Sequence, residues 1–557
     1  MALATAVYTL LALACTPLAA LLLWNYGVPV LFHAFANTVG TTLGWYLRKK
    51  TDGRRNLIIR ITDEDEKAHA ANKNRSRSKS SGSNDSSNSH GSSSLDNDWE
   101  KLDKSVLGTS HNGEKGEQDW DGIVGFFHPF CNAGGGGERV LWAAIRATQK
   151  RWPKAKCVVY TGDHDVNKEK MLIRVENTFS IHIHPPTVTF LYLSTRHWVL
   201  SSTWPHFTLL GQSLGSLVLG WDAFSLLVPD IFVDTMGYAF VLGLSKILFP
   251  QMPTGAYVHY PTISTDMLDS LDPTKAAGDQ GVNAGQGVGF RGQAKMVYWK
   301  LFAATYSWMG ASVDVVMTNS TWTQDHVQKL WGPRRQHRKQ NHPIAVVYPP
   351  CAVSELAAQI EVDAKSEKRR EKVLVYIAQF RPEKNHTLIL NAFAEFVNSK
   401  TKASEDAKLV LVGSVRDDTD SKRVYQLRLL VNELQIKDRV IFQLDASWPD
   451  ILMWLSKAYV GVNGMWNEHF GIGVVEYQAA GLIAVVHNSG GPKLDIVIKV
   501  DGSLQFAQGF DKALSLPDPL SVRKRARISA TRFSEEEFAR KWLAQMSLLV
   551  DIKTNKS

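Results

Sequence analysis

The chain is poor in cysteine: it has four in 557 residues, Cys15, Cys131, Cys157 and Cys351, with no paired spacing. That excludes a disulfide-stapled fold and a cysteine-based structural zinc site, and it fits a catalytic part in a reducing compartment. Charge is missing from the start, since no Asp, Glu, Lys or Arg precedes Arg48. A cleaved signal peptide would carry a basic n-region, so its absence favours an uncleaved apolar anchor. No nucleic-acid-binding motif accompanies the net charge of +9. An anionic membrane surface or an anionic substrate accounts for that excess as well, and nucleic acid is not expected as a partner. No Asp-x-Asp motif suited to a divalent cation is visible, and no metal ligand is assigned.

What is present begins with residues 7–31, apolar and long enough to span a bilayer although Pro17 interrupts them. Arg48, Lys49, Lys50, Arg54, Arg55 and Arg60 follow and place that side in the cytosol by the positive-inside rule. Residues 1–47 therefore read as a membrane anchor and 48–120 as a basic juxtamembrane segment and disordered linker. From about residue 62 to 118 the chain is too polar to bury a core. A second polar, Gly-rich stretch, 272–293, reads as a mobile loop.

From residue 121 onward, β-rich runs alternate with helical patterns, which implies parallel sheets with helices on both faces. Residues 157–160 and 231–234 read as strands of a first unit, 121–311. A second alternation, 312–530, starts near Val313 and passes through Val373, Leu409 and Val440 to His487. Two such units face each other across a cleft, with ligands at the carboxyl ends of the strands. A last helix in 531–557, capped by Ser534 and Glu537, carries the stripe Phe538, Trp542, Met546 and can return to the first unit. Residues 207–227 are strongly apolar but include Gln212, Trp221 and Asp222, so they read as an interfacial or buried helix rather than a span.

Three loops carry chemistry. Glu468 and Glu476 stand eight positions apart, across a loop between the strand-like run 458–462 and a helix that starts near Val474. Gly471 and Gly473 let a ligand approach the backbone, the helix amides favour an anion, and the carboxylates suit vicinal hydroxyls. A phosphate flanked by two polyols, as in a nucleotide sugar, fits that combination. Arg381 and Lys384 follow the strand-like run 373–378 at a helix start, where the macrodipole disfavours cations unless an anion sits there. Gly134 to Gly137 precede a helix after the strand-like run 122–127, and Gly135 and Gly136 permit close backbone contact with a phosphate or sugar. His259 ends the run 256–258, and Gly413 ends the run 409–413.

The E-x(7)-E pattern within Asn467-Glu468-His469-Phe470-Gly471-Ile472, with R-x-x-K at Arg381 and Lys384, resembles the signature of retaining GT-B glycosyltransferases. The run HPFCNAGGGGERVLW from His128, the run His259 to Met267 and the tract 463–497 resemble the endoplasmic-reticulum mannosyltransferases that extend the dolichol-linked precursor of N-glycans. The resemblance covers most of the chain from about Asp121. It implies an α/β GT-B fold, two Rossmann-like domains facing a cleft, behind an N-terminal transmembrane helix. It implies GDP-mannose as donor and a dolichol-diphosphate-linked trimannosyl-chitobiose as acceptor, with two α-1,2 mannoses added in sequence. The implied setting is the cytosolic face of the ER membrane, single-pass, with other early-pathway mannosyltransferases as partners and no metal requirement. By resemblance, Glu468 holds the transferred sugar with the His469, Phe470, Gly471 and Ile472 backbone, and Glu476 holds the ribose. Arg381 and Lys384 clamp the diphosphate, His259 contacts the donor sugar, and Gly413 admits base or ribose. Asp495 stands where many relatives have a glutamate. Two alternatives remain: another GT-B transferase acting on a membrane lipid, such as a phosphatidylinositol mannosyltransferase, and a catalytically silent membrane scaffold. A scaffold would be expected to lose one of Glu468, Glu476, Arg381 or Lys384, and all four are present.

Overall fold

Short apolar runs punctuated by polar loops form strands buried on both faces, as parallel sheets require. The computed structural model describes residues 28–80, 120–271, 289–338, 342–415, 417–496, 499–500 and 502–555. Strands β1 (Ile123–Phe127), β2 (Lys156–Thr161), β3 (Val188–Tyr192), β4 (Ile231–Asp234), β5 (Thr254–Val258), β6 (Val315–Thr318) and β7 (Ala345–Val346) make one parallel sheet, in the order β3-β2-β1-β4-β5-β6-β7. Strands β8 (Val373–Ile377), β9 (Lys408–Gly413), β10 (Val440–Leu444), β11 (Val460–Asn463), β12 (Ile483–His487) and β13 (Lys499–Val500) make a second, in the order β10-β9-β8-β11-β12-β13. In both sheets the winding direction reverses beside the first strand, between β1 and β4 and between β8 and β11. Loops leaving neighbouring strands in opposite directions open a crevice there, at the carboxyl ends.

The boundary between the units differs from the sequence expectation. Strand β6, expected to open the second unit at residue 312, pairs with β5 in the register Ala256↔Val316. The Tyr257 hydroxyl also donates to the Val347 carbonyl at 2.7 Å. The first sheet thus runs on to Val346, because strand pairing is decided by distant partners that a local apolar run does not reveal.

The helices introduced here are α1 (Val28–Ser80), α2 (Gly136–Arg151), α3 (Thr208–Leu226), α4 (Ala239–Leu248), α5 (Gly289–Gly310), α6 (Thr321–His337), α7 (His386–Asn398), α8 (Ile472–Ala479) and α9 (Glu535–Thr554). Helix α9 lies on the first sheet. Phe538, Trp542, Met546 and Leu549 join the core containing Val124 and Phe126, and Glu535 pairs with Arg139 at 3.0 Å and Arg146 at 2.5 Å.

Helix α1 corrects the expected linker. Instead of becoming disordered near residue 62, the chain is helical to Ser80. Leu47, Thr51, Ile58 and Thr62 are buried, a narrow stripe at helical spacing within a polar sequence. Arg55 pairs with Asp230 at 2.6 Å, Lys156 with Asp63 at 3.5 Å, and His184 with Glu66 at 2.7 Å. Part of the basic segment assigned to the membrane side is therefore committed to the first domain. The expected span, 7–31, lies outside the described residues except for the backbone of its last four. Among the described residues no helix is long and apolar enough to cross a membrane. Residues 81–119 and 272–288 also lie outside them, and from Gly289 the expected loop is already α5.

Candidate active site

The site grows from the two switch points. Strand β8 ends at Ile377, and the chain turns through Gln379 to Lys384 before α7. The Tyr376 hydroxyl donates to the Lys384 carbonyl at 2.5 Å and holds the turn. Lys384 Nζ then reaches Glu468 Oε2 at 2.7 Å. Strand β11 ends at Asn463, whose Nδ2 donates to the same oxygen at 3.3 Å. Burial pushes the Glu468 carboxyl up, but the Lys384 charge and these two hydrogen bonds outweigh it and hold it below the usual range. Glu468 is thus an ionised acceptor at neutral pH.

Backbone contacts pin its loop. The Gly491 N–H donates to the Glu468 carbonyl at 2.8 Å, and the Asn467 N–H to Ser489 Oγ at 2.7 Å. Gly471 has φ +100°, which a residue with a Cβ rarely adopts, and it begins α8, whose first residues Ile472 and Gly473 line the crevice with it.

The first sheet supplies the opposite wall. A Cβ on Gly136 would stand 2.7 Å from Ile472 Cδ1, and one on Gly137 would stand 3.7 Å from His259 Nε2. The Gly-rich turn therefore faces both α8 and His259. The Gly135 N–H donates to Glu138 Oε2 at 2.6 Å, and Glu138 Oε1 lies 3.6 Å from buried His128 Nε2. His259 Nε2 bonds the Thr235 carbonyl at 3.0 Å. A carbonyl only accepts, so Nε2 carries the proton and Nδ1 is left as an acceptor. Burial lowers the His259 pKa to about 4, so the ring is neutral.

Side chains from the two units also interlock. His469 stacks on Tyr260 with centroids 4.1 Å apart, and Asn467 Nδ2 donates to Asp266 Oδ2 at 2.6 Å. Asp495 accepts from the Thr321 N–H at 3.1 Å, the Thr321 hydroxyl at 2.5 Å and the Tyr348 hydroxyl at 3.0 Å. Asp495 thus ties the second unit to the start of α6.

Between these walls lies a cavity of about 290 Å³. Of the residues singled out from sequence, Gly136, Gly137, His259, Lys384, Glu468, His469, Phe470, Gly471, Ile472 and Gly473 line it. Arg381, Glu476, Gly135 and Gly413 do not. Arg381 stands 3.8 Å from Glu383. Burial raises the Glu476 pKa, with Arg139 of the first unit acting against that rise. Gly413 lets β9 pass the Ala378 carbonyl, which a Cβ would meet at 2.2 Å. Asn463 and Tyr477 line the cavity and were given no role in the sequence reading. A lone amide ending an apolar strand was the available signal for Asn463. Among the described residues no group of three or more His, Cys, Asp and Glu side chains is placed to hold a metal ion.

His259, His386 and His469 each have a pKa lowered to about 4, burial being the largest cause. The unfolded chain binds those protons near pH 6.5, so below that pH unfolding takes up protons and is favoured. Their stabilising effect is full above pH 6.5 and is lost as the pH falls toward 4, at about 1.4 kcal/mol per pH unit for each ring. The melting temperature should therefore drop between pH 7 and pH 5. A flat profile would mean that these rings are already charged in the folded protein.

Two doubly wound sheets that face each other, with a cation, a carboxylate and helix amides at their shared crevice, define a GT-B-like glycosyltransferase. Residues 121–331 match the family described as "ALG11 mannosyltransferase N-terminus", and residues 358–514 match "Glycosyl transferases group 1". The chain belongs to the family of GDP-Man:Man(3)GlcNAc(2)-PP-Dol alpha-1,2-mannosyltransferases. The member so named from Neurospora crassa is 66% identical over 531 residues, covering 92% of this chain and 93% of its own. The Mus musculus member is 43% identical over 462 residues, covering 80% and 90%. Among solved structures, the Candida albicans trehalose-6-phosphate phosphatase N-terminal domain has TM-score 0.57 at 11% identity, over 80% of this chain and 99% of that one. The Burkholderia multivorans alpha,alpha-trehalose 6-phosphate synthase has TM-score 0.56 at 12% identity, over 79% and 100%. At that identity these two show the fold alone.

Proposed function

We propose that the protein transfers mannose from GDP-mannose in α-1,2 linkage, twice in sequence, to dolichol-diphosphate-linked trimannosyl-chitobiose on the cytosolic face of the ER membrane. The observation that carries this is the 66% identity, across 92% of the chain, to a relative named for that transfer. The Lys384–Glu468 pair in the crevice supports the chemistry. In the reaction the bond from mannose C1 to the diphosphate oxygen breaks. A bond from the acceptor hydroxyl oxygen to C1 forms, and the hydroxyl proton leaves with the diphosphate. Charge grows on that leaving group, and fixed positive groups facing it lower the barrier. Lys384 and the α8 amides take that role, with Arg381 joining from its place beside Glu383. Glu468 and His259 Nδ1 accept from the sugar hydroxyls, and Glu476 holds the ribose.

The test is incubation of detergent-solubilised protein with labelled GDP-mannose, UDP-glucose or UDP-N-acetylglucosamine and a lipid-linked acceptor. GDP-mannose alone should label the lipid, giving a product two hexoses larger than the acceptor. Label from a UDP-sugar would overturn the reading. Because protein groups supply the positive field, turnover should persist in excess EDTA. Loss in EDTA that magnesium or manganese restores would contradict this account of the donor site.

Attachment to the ER membrane, single-pass through residues 7–31, belongs to the same proposal. Its support is an apolar face on the first domain. Phe207 at the start of α3 and Leu210, Leu214, Val218 and Trp221 on it are exposed, as are Phe290, Val297 and Leu301 on α5. Aromatic–cation pairs accompany them, Lys49 with Trp45 and Arg338 with Trp308, which suits an anionic headgroup layer. Protein lacking residues 1–27 should still co-sediment with anionic liposomes. Leu214→Glu with Val218→Glu should reduce sedimentation while leaving the melt unchanged. Unfolding would show that this face is core.

A further inference from the structure

Two strands part at the crevice and leave a backbone group over. Strand β8 pairs with β11 in the register Val460↔Leu374 and Gly461↔Val375, and the pairing ends there. Beyond it β8 keeps its other neighbour, since the Ala378 N–H donates to the Val412 carbonyl of β9 at 2.8 Å. Successive N–H groups of a strand face opposite sides, so the Ile377 N–H faces the side that β11 has left. A buried N–H without a partner is costly. Here the Tyr477 hydroxyl accepts it at 2.8 Å. The ring reaches that place from α8 because β11 carries a glycine beneath it. A Cβ on Gly461 would stand 2.3 Å from Tyr477 Cγ.

A phenol has one proton to give besides what it accepts. At Ile377 the amide donates, so the hydroxyl proton is not used there. Among the described residues that bond is the hydroxyl's one hydrogen bond. Tyr477 and Ile377 both line the cavity shared by Lys384, Glu468 and the first residues of α8. The proton therefore has a ligand oxygen in that cavity as its partner. Burial raises the Tyr477 pKa, so the group stays protonated and serves as a donor rather than a base.

We propose that the Tyr477 hydroxyl donates to the diphosphate of the donor nucleotide, at the phosphate joined to mannose. The assignment rests on the transferase reading above and adds a neutral donor to Lys384 and the α8 amides. Glu468 and His259, which that reading gives to the sugar, line this cavity, whereas Glu476, which it gives to the ribose, does not. The phosphate inside the cavity is then the sugar's neighbour. As the bond from mannose C1 to its oxygen breaks, the charge left on that phosphate strengthens the hydrogen bond. A donor already held by Ile377 needs no reorientation at that moment, and it keeps its proton throughout.

The test uses the full chain in detergent, with calorimetric titration of GMP, GDP and GDP-mannose and turnover on a lipid-linked acceptor. Tyr477→Phe keeps the ring and removes the hydroxyl. It should weaken GDP and GDP-mannose by about fivefold or more, leave GMP within about twofold, and lower kcat by about tenfold or more. The melt should fall on any reading, because the Ile377 N–H loses its partner. Ligand choice is the readout that a purely structural hydroxyl would not move. GMP weakened as much as GDP overturns the assignment, as does GDP-mannose weakened with GDP unaffected, or no change in binding and turnover. If Tyr477→Phe fails to fold, 3-fluorotyrosine introduced at position 477 decides the question. It keeps the native shape with a more acidic phenol, and GDP should bind about twofold tighter with GMP unchanged. Unchanged or weaker GDP binding there overturns the assignment. Wild-type protein that binds neither GDP nor GDP-mannose overturns the transferase reading itself, whereas wild type that binds both, with variants that match it, overturns this role for Tyr477 alone.

Discussion

Lys384→Met should lower turnover at saturating donor by between about tenfold and 150-fold, the equivalent of a lost charge-assisted contact of about 1.5–3 kcal/mol. Methionine keeps much of the length and apolar stem of lysine and removes the charge. The variant should also melt earlier. Lys384 Nζ lies 2.7 Å from Glu468 Oε2, and the lysine charge helps to keep that carboxyl ionised against its burial. Removing one partner of a buried pair leaves the other uncompensated, at a cost of about 3–5 kcal/mol unless it takes up a proton. The double variant Lys384→Met/Glu468→Gln should therefore recover the melt and stay inactive. That contrast separates catalysis from support: a double variant with restored turnover would show that neither charge acts on the substrate. Normal turnover in the single variant would remove Lys384 from the mechanism.

Gly490→Ala is expected to be nearly as damaging, although the residue lies on a different loop from either glutamate. Its φ of +64° is one that alanine adopts only with strain, about 1–3 kcal/mol. Its Cβ would stand 2.2 Å from the Glu468 carbonyl oxygen, and one on Gly491 would stand 2.5 Å from that of His469. Both contacts are with backbone, which cannot swing aside as a side-chain tip does. The Glu468 loop must shift, and a displacement of about 1 Å at a reacting group costs about a hundredfold in rate. Gly53→Ala is the control, because a Cβ there meets nothing within 4 Å. Replacing that mid-helix glycine should leave activity unchanged and stabilise the protein by about 0.5–1 kcal/mol. Wild-type kcat/KM in Gly490→Ala would show that the Glu468 loop tolerates displacement.

Several parts of this protein were legible because their signals are local. Apolar runs such as Ile123–Phe127 and Val373–Ile377 are buried strands in any parallel sheet. A glycine, a cation or a carboxylate in the loop after such a run lies near a strand's carboxyl end wherever that strand pairs. That reasoning led to Gly136, Lys384 and Glu468, which do line one cavity. It also led to Arg381 and Glu476, which lie outside that cavity, because position along the chain does not say which way a side chain turns.

By itself, then, the sequence determined the strand–helix alternation, the loops that line the crevice and the family, through residues whose meaning depends on near neighbours. Tertiary structure decided what depends on distant ones. It assigned Val315–Thr318 to the first sheet, since pairing with Thr254–Val258 on one side and Ala345–Val346 on the other satisfies its backbone there. It docked Val28–Ser80 through ion pairs such as Arg55 with Asp230. It turned Leu219 inward and Val218 outward on a helix whose composition is apolar nearly all round, where no periodicity could choose a face. It joined Lys384 to Glu468 and Thr321 to Asp495, because the free energy of a charge or hydrogen-bond pair depends on separation in space and burial, and residues far apart along the chain carry no mark of either.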